Sequence, residues 1–328
     1  VTMPSLNLMQ IPELDRKQFC KFMFPNRTTR VSPATVRNYA NCTRDFIRWC
    51  ANQQIEPASA TAEQIVDFIQ WMQSTGYRDT TINLYIVVVR QLFRMAKRIG
   101  LRPDDPTEDL KVLPIDWMFD QTRTPHLRLA EVRHVLAALP KSGNAEQLRD
   151  RVLVSLMLLH GLRPSSVVGL KVGDVYQTDD GPKINIVGKT RSTTLDLRND
   201  VYMAILEMLA ARSPDKQLDP SSVLLVSYWS PGFKNLDPNT RPNGTGRPLT
   251  TRGLRFIAAK YFGIAGVEAS PRILRHTFGT MLSRNSNGNV RKVAQLMGHR
   301  SVNSTMRYCH VTSQECRKLA QSLPGLAK

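Results

Sequence analysis

Apolar residues recur at helical spacing through the first hundred positions of the chain. In SPATVRNYANCTRDFIRWC, Ser32 can cap a helix and Pro33 suits its first turn, where backbone donors have no partner inside the helix. Val36, Tyr39, Thr43, Phe46 and Cys50 then fall on one face. TAEQIVDFIQWMQSTG predicts a second helix, with Thr61 and Gln64 as a capping box and Gly76 as a stop. TTINLYIVVVRQLFRMAKRIG predicts a third. Its Ile82, Ile86, Val89 and Phe93 face a core, while Arg90, Arg94 and Lys97 share another face that is either simply solvated or in contact with phosphate. Residues 1–31 show little periodicity and read as an N-terminal arm with room for a short helix. LRPDDPTEDLKVLP, rich in Pro and Asp, reads as the start of a linker. Residues 32–110 are therefore expected to form an all-helical domain and residues 111–126 a linker.

From residue 127 the pattern is mixed. LAEVRHVLAAL and QLRDRVLVSLMLLHGL read as helices. DVYQTDDGPKINIVGKTRSTTLDL alternates every second residue around DDG and GKTR, predicting three strands joined by two turns. Helical patterns return in DVYMAILEMLAAR, in LRFIAAKYFG and, as short segments, near the end. The long turn-rich WSPGFKNLDPNTRPNGTGRP is either disordered or functional. The fold class is mainly α with a small antiparallel β-sheet: an all-helical domain, then an α+β domain.

Charge changes this picture. The chain has 328 residues, enough for two cored domains. With 45 Lys and Arg against 27 Asp and Glu its formal charge is +18, which makes a polyanion the default partner. The excess is +2 over residues 1–120 and +16 over residues 121–328, so the second unit carries the electrostatic footprint. Cys20, Cys42, Cys50, Cys309 and Cys316 have no framework or zinc spacing, which predicts reduced thiols in a cytosol-like compartment. Runs such as VLVSLMLLHGL are too short to span a bilayer, and no secretory pattern opens the chain.

The candidate chemistry gathers around Tyr308 in STMRYCHV. Alone, a tyrosine there reads as a packing residue. LMGHRSVNSTMRY sets Gly298, His299 and Arg300 shortly upstream, and SPRILRHTFGTML sets Arg272, Arg275 and His276 before that. HGLRPSSVVGLKVGDV places Arg163 on the turn between two helices, and IVGKTR places Lys189 at a hairpin tip with Arg191 two residues on.

In this order the motifs resemble the tyrosine recombinase, or phage integrase, family. The resemblance covers nearly the whole chain. Residues 32–110 resemble its helical, SAM-like core-binding domain and residues 127–310 its catalytic domain. It is carried by GLRPSSVVGL followed by GDV, GK in a hairpin, LRHTFGT, LMGHRS, and STMRYCHV with Tyr308 nine residues after His299. It implies that Tyr308 is the nucleophile on a DNA phosphodiester and that Arg163 and Arg275 fork onto the phosphate oxygens. His299 would donate a hydrogen bond to the phosphate, and Lys189 would protonate the leaving 5′ oxygen. The residue types suit that reaction, since a phenol can hold the strand as a covalent ester and paired guanidiniums stabilise developing charge on phosphate. No metal or nucleotide cofactor is expected. Arg90, Arg94, Lys97, Arg191, His276 and Arg300 are the candidate DNA contacts, with His276 also read as structural.

Two positions depart from the family pattern. Arg272 stands where a histidine is usual; it can take over that residue's role as a phosphate ligand, but it cannot accept the phenol proton because guanidinium stays protonated. Ser166 stands where a carboxylate is common. The tail, residues 311–328, has a capping box at Thr312 and Glu315 and an apolar stripe of Val311, Cys316, Leu319 and Leu323. It either packs on its own domain or docks on a neighbouring protomer. The resemblance further implies a protein that is monomeric when free and grips duplex DNA between its two modules. It would bind inverted half-sites, assemble as a homo-tetramer on synapsed DNA and exchange strands through a Holliday junction. Accessory DNA-bending proteins are compatible with this, and a membrane partner is not. The expected location is cytoplasmic, with the nucleoid. Two alternatives stay open: relaxation of DNA in the manner of a type IB topoisomerase, and an inactive DNA-binding relative.

Overall fold

The computed structural model describes residues 8–26, 31–114, 125–187, 192–228, 247–299, 301–306 and 308. They divide into two compact units, Val1–Asp116 and Trp117–Lys328.

The first unit holds α1 (Arg16–Met23), α2 (Pro33–Asn52), α3 (Ala62–Ser74) and α4 (Asp79–Arg98). The expected caps form. Ser32 Oγ accepts from the Thr35 amide at 3.1 Å, and Thr61 and Gln64 bond reciprocally. Gly76 takes a left-handed φ of +81° just past α3, where a side chain would be strained. The inner face of α2 delivers Phe46 edge-on to Phe68 of α3 and Phe93 of α4, with centroids 5.2 and 5.8 Å apart.

Two expectations are corrected here. The supposed arm is packed structure: Leu8 and Ile11 of a 3₁₀ turn, with Phe19, Phe22 and Met23 of α1, lie in the same core as Phe46. Its periodicity was hidden because the two elements are short and separated by a break at Asp15, which caps α1. Arg90 is not a free cation on a basic face. It is partly buried, and its guanidinium donates to the Leu110 carbonyl. Asn83 holds the same strap through Leu113, giving and accepting at 2.9 and 2.7 Å. Arg94 and Lys97 are exposed.

In the second unit α5 (Leu129–Ala138) precedes α6 (Ala145–Leu159), whose Val152 to Leu158 are buried on every side, as expected of a central helix. After α7 (Pro164–Val167) come β1 (Val175–Thr178), β2 (Gly181–Val187) and β3 (Ser192–Asp196), antiparallel in that order. Thr178 pairs with Gly181 across the DDG turn, and Val187 pairs with Ser192. The helices α8 (Asn199–Arg212), α9 (Thr251–Ile264), α10 (Pro271–Asn285), α11 (Val290–Leu296) and α12 (Asn303–Met306) complete it. A buried ionic chain, unseen in the sequence, ties α6 to α9: Arg149 meets Asp150 at 2.8 Å, and Asp150 accepts from Tyr261 at 3.0 Å. The expected GKTR turn with Lys189 and Arg191, most of the long turn-rich stretch, Arg300 and the expected tail helix lie outside the described residues. Among the described residues, no helix is long and apolar enough to cross a membrane.

Candidate active site

Four segments converge. The first is the turn after α6. Gly161 takes φ +59°, and a Cβ there would stand 2.3 Å from Phe278 Cδ1, so both backbone and space demand glycine. The turn sends Leu162 inward and leaves Arg163 exposed as the residue before α7, with Pro164 at the helix start. We expect Gly161→Ala to cost roughly 2–4 kcal/mol from left-handed strain plus overpacking. Thermal denaturation checks this, and an unchanged Tm would contradict it.

The second segment is α10. Its Arg275 is buried at 9% exposure. The guanidinium donates to the Gly161 carbonyl, to the Met297 carbonyl at 3.0 Å and to His299 Nε2 at 2.7 Å. Burial first, then the Arg163 charge, lowers its pKa to about 10, and Tyr308 acts the other way. It therefore stays cationic at neutral pH. Among the described residues, no carboxylate pairs with Arg163 or Arg275. Two guanidiniums close enough to repel, with no paired anion, form a place where a phosphate would be stabilised.

The third segment is the end of α11, where Gly298 with φ +59° stops the helix and turns His299 back toward Arg275. His299 Nδ1 lies 2.7 Å from Oγ1 of Thr305, which is fully buried. The fourth is Tyr308, only 4% exposed and packed with Val293 and Met297. Its ring lies 6.2 Å from that of His299, nearly parallel, and 5.6 Å from that of His276. A Cβ on Gly279 would stand 3.0 Å from two Tyr308 ring carbons, so this glycine opens the seat of the phenol.

Arg163, Arg275, His299 and Tyr308 are thus brought together. His276, read both as a DNA contact and as structural, is buried beside Tyr308. Arg272 is exposed one turn before Arg275. Sequence reasoning missed Thr305, although it stands in the motif that carries Tyr308. It also missed His160, whose Nε2 accepts from the Arg198 amide at 3.4 Å just before the Gly161 turn. Burial, then Arg198, pushes the His160 pKa down to about 4. The unfolded chain therefore takes up this proton first as pH falls. Its contribution is complete above about pH 6.5 and fades toward pH 4, by up to about 3 kcal/mol. We expect Tm to fall across that window in the wild type and less steeply in His160→Asn.

A helical module ahead of an α+β unit that gathers two arginines, a histidine and a tyrosine marks a class of enzymes that break and rejoin DNA. The chain belongs to the phage integrase family, the tyrosine recombinases: residues 125–315 match that family, and residues 17–100 match its N-terminal SAM-like domain. The protein is a site-specific DNA recombinase, and DNA is its partner. The second match begins inside the stretch the sequence presented as an arm. Tyrosine recombinase XerA of Thermococcus kodakarensis is 28% identical over 298 residues, covering 90% of this chain and 92% of the relative. Tyrosine recombinase XerD of Rickettsia conorii is 24% identical over 304 residues, covering 92% and 95%. Among solved structures, the XerH site-specific recombinase bound to a palindromic difH substrate, a post-cleavage complex, has the same fold. Its TM-score is 0.69 at 17% identity, over 96% of this chain and 95% of that one.

Proposed function

We propose that Tyr308 attacks a DNA phosphodiester held by Arg163 and Arg275, forming a 3′-phosphotyrosine and breaking the bond to the 5′ oxygen. Arg275 carries this reading. It is a buried guanidinium that feels the charge of Arg163 and the phenol of Tyr308 and stands 2.7 Å from His299 Nε2. His299 then donates to a non-bridging oxygen, and Lys189 protonates the leaving 5′ oxygen. The phenol proton passes to water or a neighbouring group, and Arg272 serves as a further phosphate ligand. The phenol is sealed at 4% exposure, so it turns outward when DNA binds. Religation to a 5′ hydroxyl of a second duplex reverses the step and completes exchange.

The corresponding reaction is recombination at paired inverted half-sites by a homo-tetramer through a Holliday junction; the palindromic substrate of the XerH complex supports the inverted half-sites. The cytoplasmic nucleoid is the corresponding location, and Arg94 and Lys97 remain candidate backbone contacts. A nicked suicide duplex carrying the native site tests the chemistry. A slow, protease-sensitive band on a denaturing gel is the expected result. Its absence with intact DNA binding would leave a binding protein without the reaction.

A further inference from the structure

We propose that Thr305 is a positioning residue: it sets which nitrogen of His299 carries the proton, and lets the ring change from acceptor to donor when a phosphate arrives. This rests on the phosphate-donor role given to His299 above.

The assignment follows from hydrogen-bond chemistry. A guanidinium has N–H donors and no acceptor. Arg275 Nη2 stands 2.7 Å from His299 Nε2, so Nε2 must present its lone pair. The proton of the neutral ring is then on Nδ1, and Thr305 Oγ1, 2.7 Å away, accepts it. An imidazolium would set N–H against N–H at the first contact. In the DNA-free protein, His299 is therefore neutral, protonated on Nδ1, and unable to donate from Nε2.

Donation to a phosphate needs a hydrogen on Nε2. One route adds a proton and makes an imidazolium. The other moves the single proton from Nδ1 to Nε2 by exchange with water, leaving Nδ1 bare. The surroundings favour the second. His299 faces Arg275 of α10 beside Arg163, with the His276 and Tyr308 rings close by, and a further cation in that company is disfavoured. A bare Nδ1 requires a donor, and a hydroxyl can supply one by rotating, because it both gives and accepts. Thr305 is fully buried and its amide and carbonyl are bonded to Val302 and Tyr308, so the oxygen is fixed while its hydrogen turns. Serine could do the same. Valine, of similar shape, could do neither.

The test reads the ring directly. Protein carrying ¹⁵N-histidine is examined by NMR free, and in the Tyr308→Phe form bound to a duplex with the native site. The His299 signals are identified by their loss in His299→Gln. We expect a neutral ring with Nδ1–H when free and a neutral ring with Nε2–H when bound. An imidazolium in the complex, or an Nδ1–H ring in both states, overturns the proposal. Thr305→Val should lose the Nδ1–H preference in the free protein and slow single-turnover cleavage by roughly tenfold to a hundredfold at unchanged DNA affinity. Thr305→Ser should restore both to within a few-fold. Thr305→Ala gives the same readouts should Thr305→Val fail to fold, and wild-type ring states in these hydroxyl-free variants would reduce Thr305 to packing. If His299→Gln cleaves at the wild-type rate, the parent reading of His299 fails, whatever the ring states show.

Discussion

Tyr308→Phe binds a native-site duplex within about twofold of wild type and forms no covalent complex, a loss of at least about 10⁴-fold in attachment. One oxygen is removed from a side chain whose ring is held by Val293 and Met297 and seated over Gly279, so the ring stays in place. Arg163 and Arg275, the phosphate ligands of the proposed mechanism, are untouched, so binding is expected to survive. A nicked suicide substrate run on a denaturing gel beside wild type reads the result, with gel shift as the control for binding. A protease-sensitive band in the variant would place the nucleophile on another residue.

Arg275→Ala is expected to fail twice. Cleavage should drop by about 10³-fold or more if, as proposed, this guanidinium stabilises the charge developing on the phosphate. Stability should fall by roughly 2–4 kcal/mol, because the Gly161 and Met297 carbonyls and His299 Nε2 lose their donor together inside the protein. Arg275→Lys separates the two effects. An ammonium restores charge but cannot span two carbonyls and a ring from one planar fork. We expect Arg275→Lys to recover part of the Tm and still cleave at least about 100-fold more slowly. Single-turnover cleavage and thermal denaturation measure both. A lysine variant at wild-type rate would show that a point charge suffices.

These residues also show what sequence can and cannot reveal. The long helices were legible because their apolar spacing and caps are local properties, as at Ser32, Thr61 and Gln64. The three strands were legible from the alternation around DDG. Tyr308, Arg275 and His299 were legible through their motif order. What escaped was set by partners far along the chain. Arg90 looked like a free cation until Leu110 came to lie beside it, and Leu8 to Met23 looked like an arm because short elements give little periodicity. Gly161 and Gly279 carry no chemistry in the sequence. Their importance appears only when Phe278 and Tyr308 occupy the space a methyl group would need. Thr305 is a small polar letter among several, and only its distance to His299 distinguishes it.

The seating of Tyr308 has a consequence for how substrate is used. If Tyr308 is the nucleophile, as proposed, a phenol at 4% exposure is in a resting state, and the competent state requires the ring to leave its seat. If leaving costs about 2.7 kcal/mol, only about one free molecule in a hundred is armed, and DNA must supply the difference from its binding energy. On that reading, weak or incomplete sites would hold the protein without arming it. The buried ring would then be a threshold that converts a graded affinity for DNA into a sharper choice of where strands are cut.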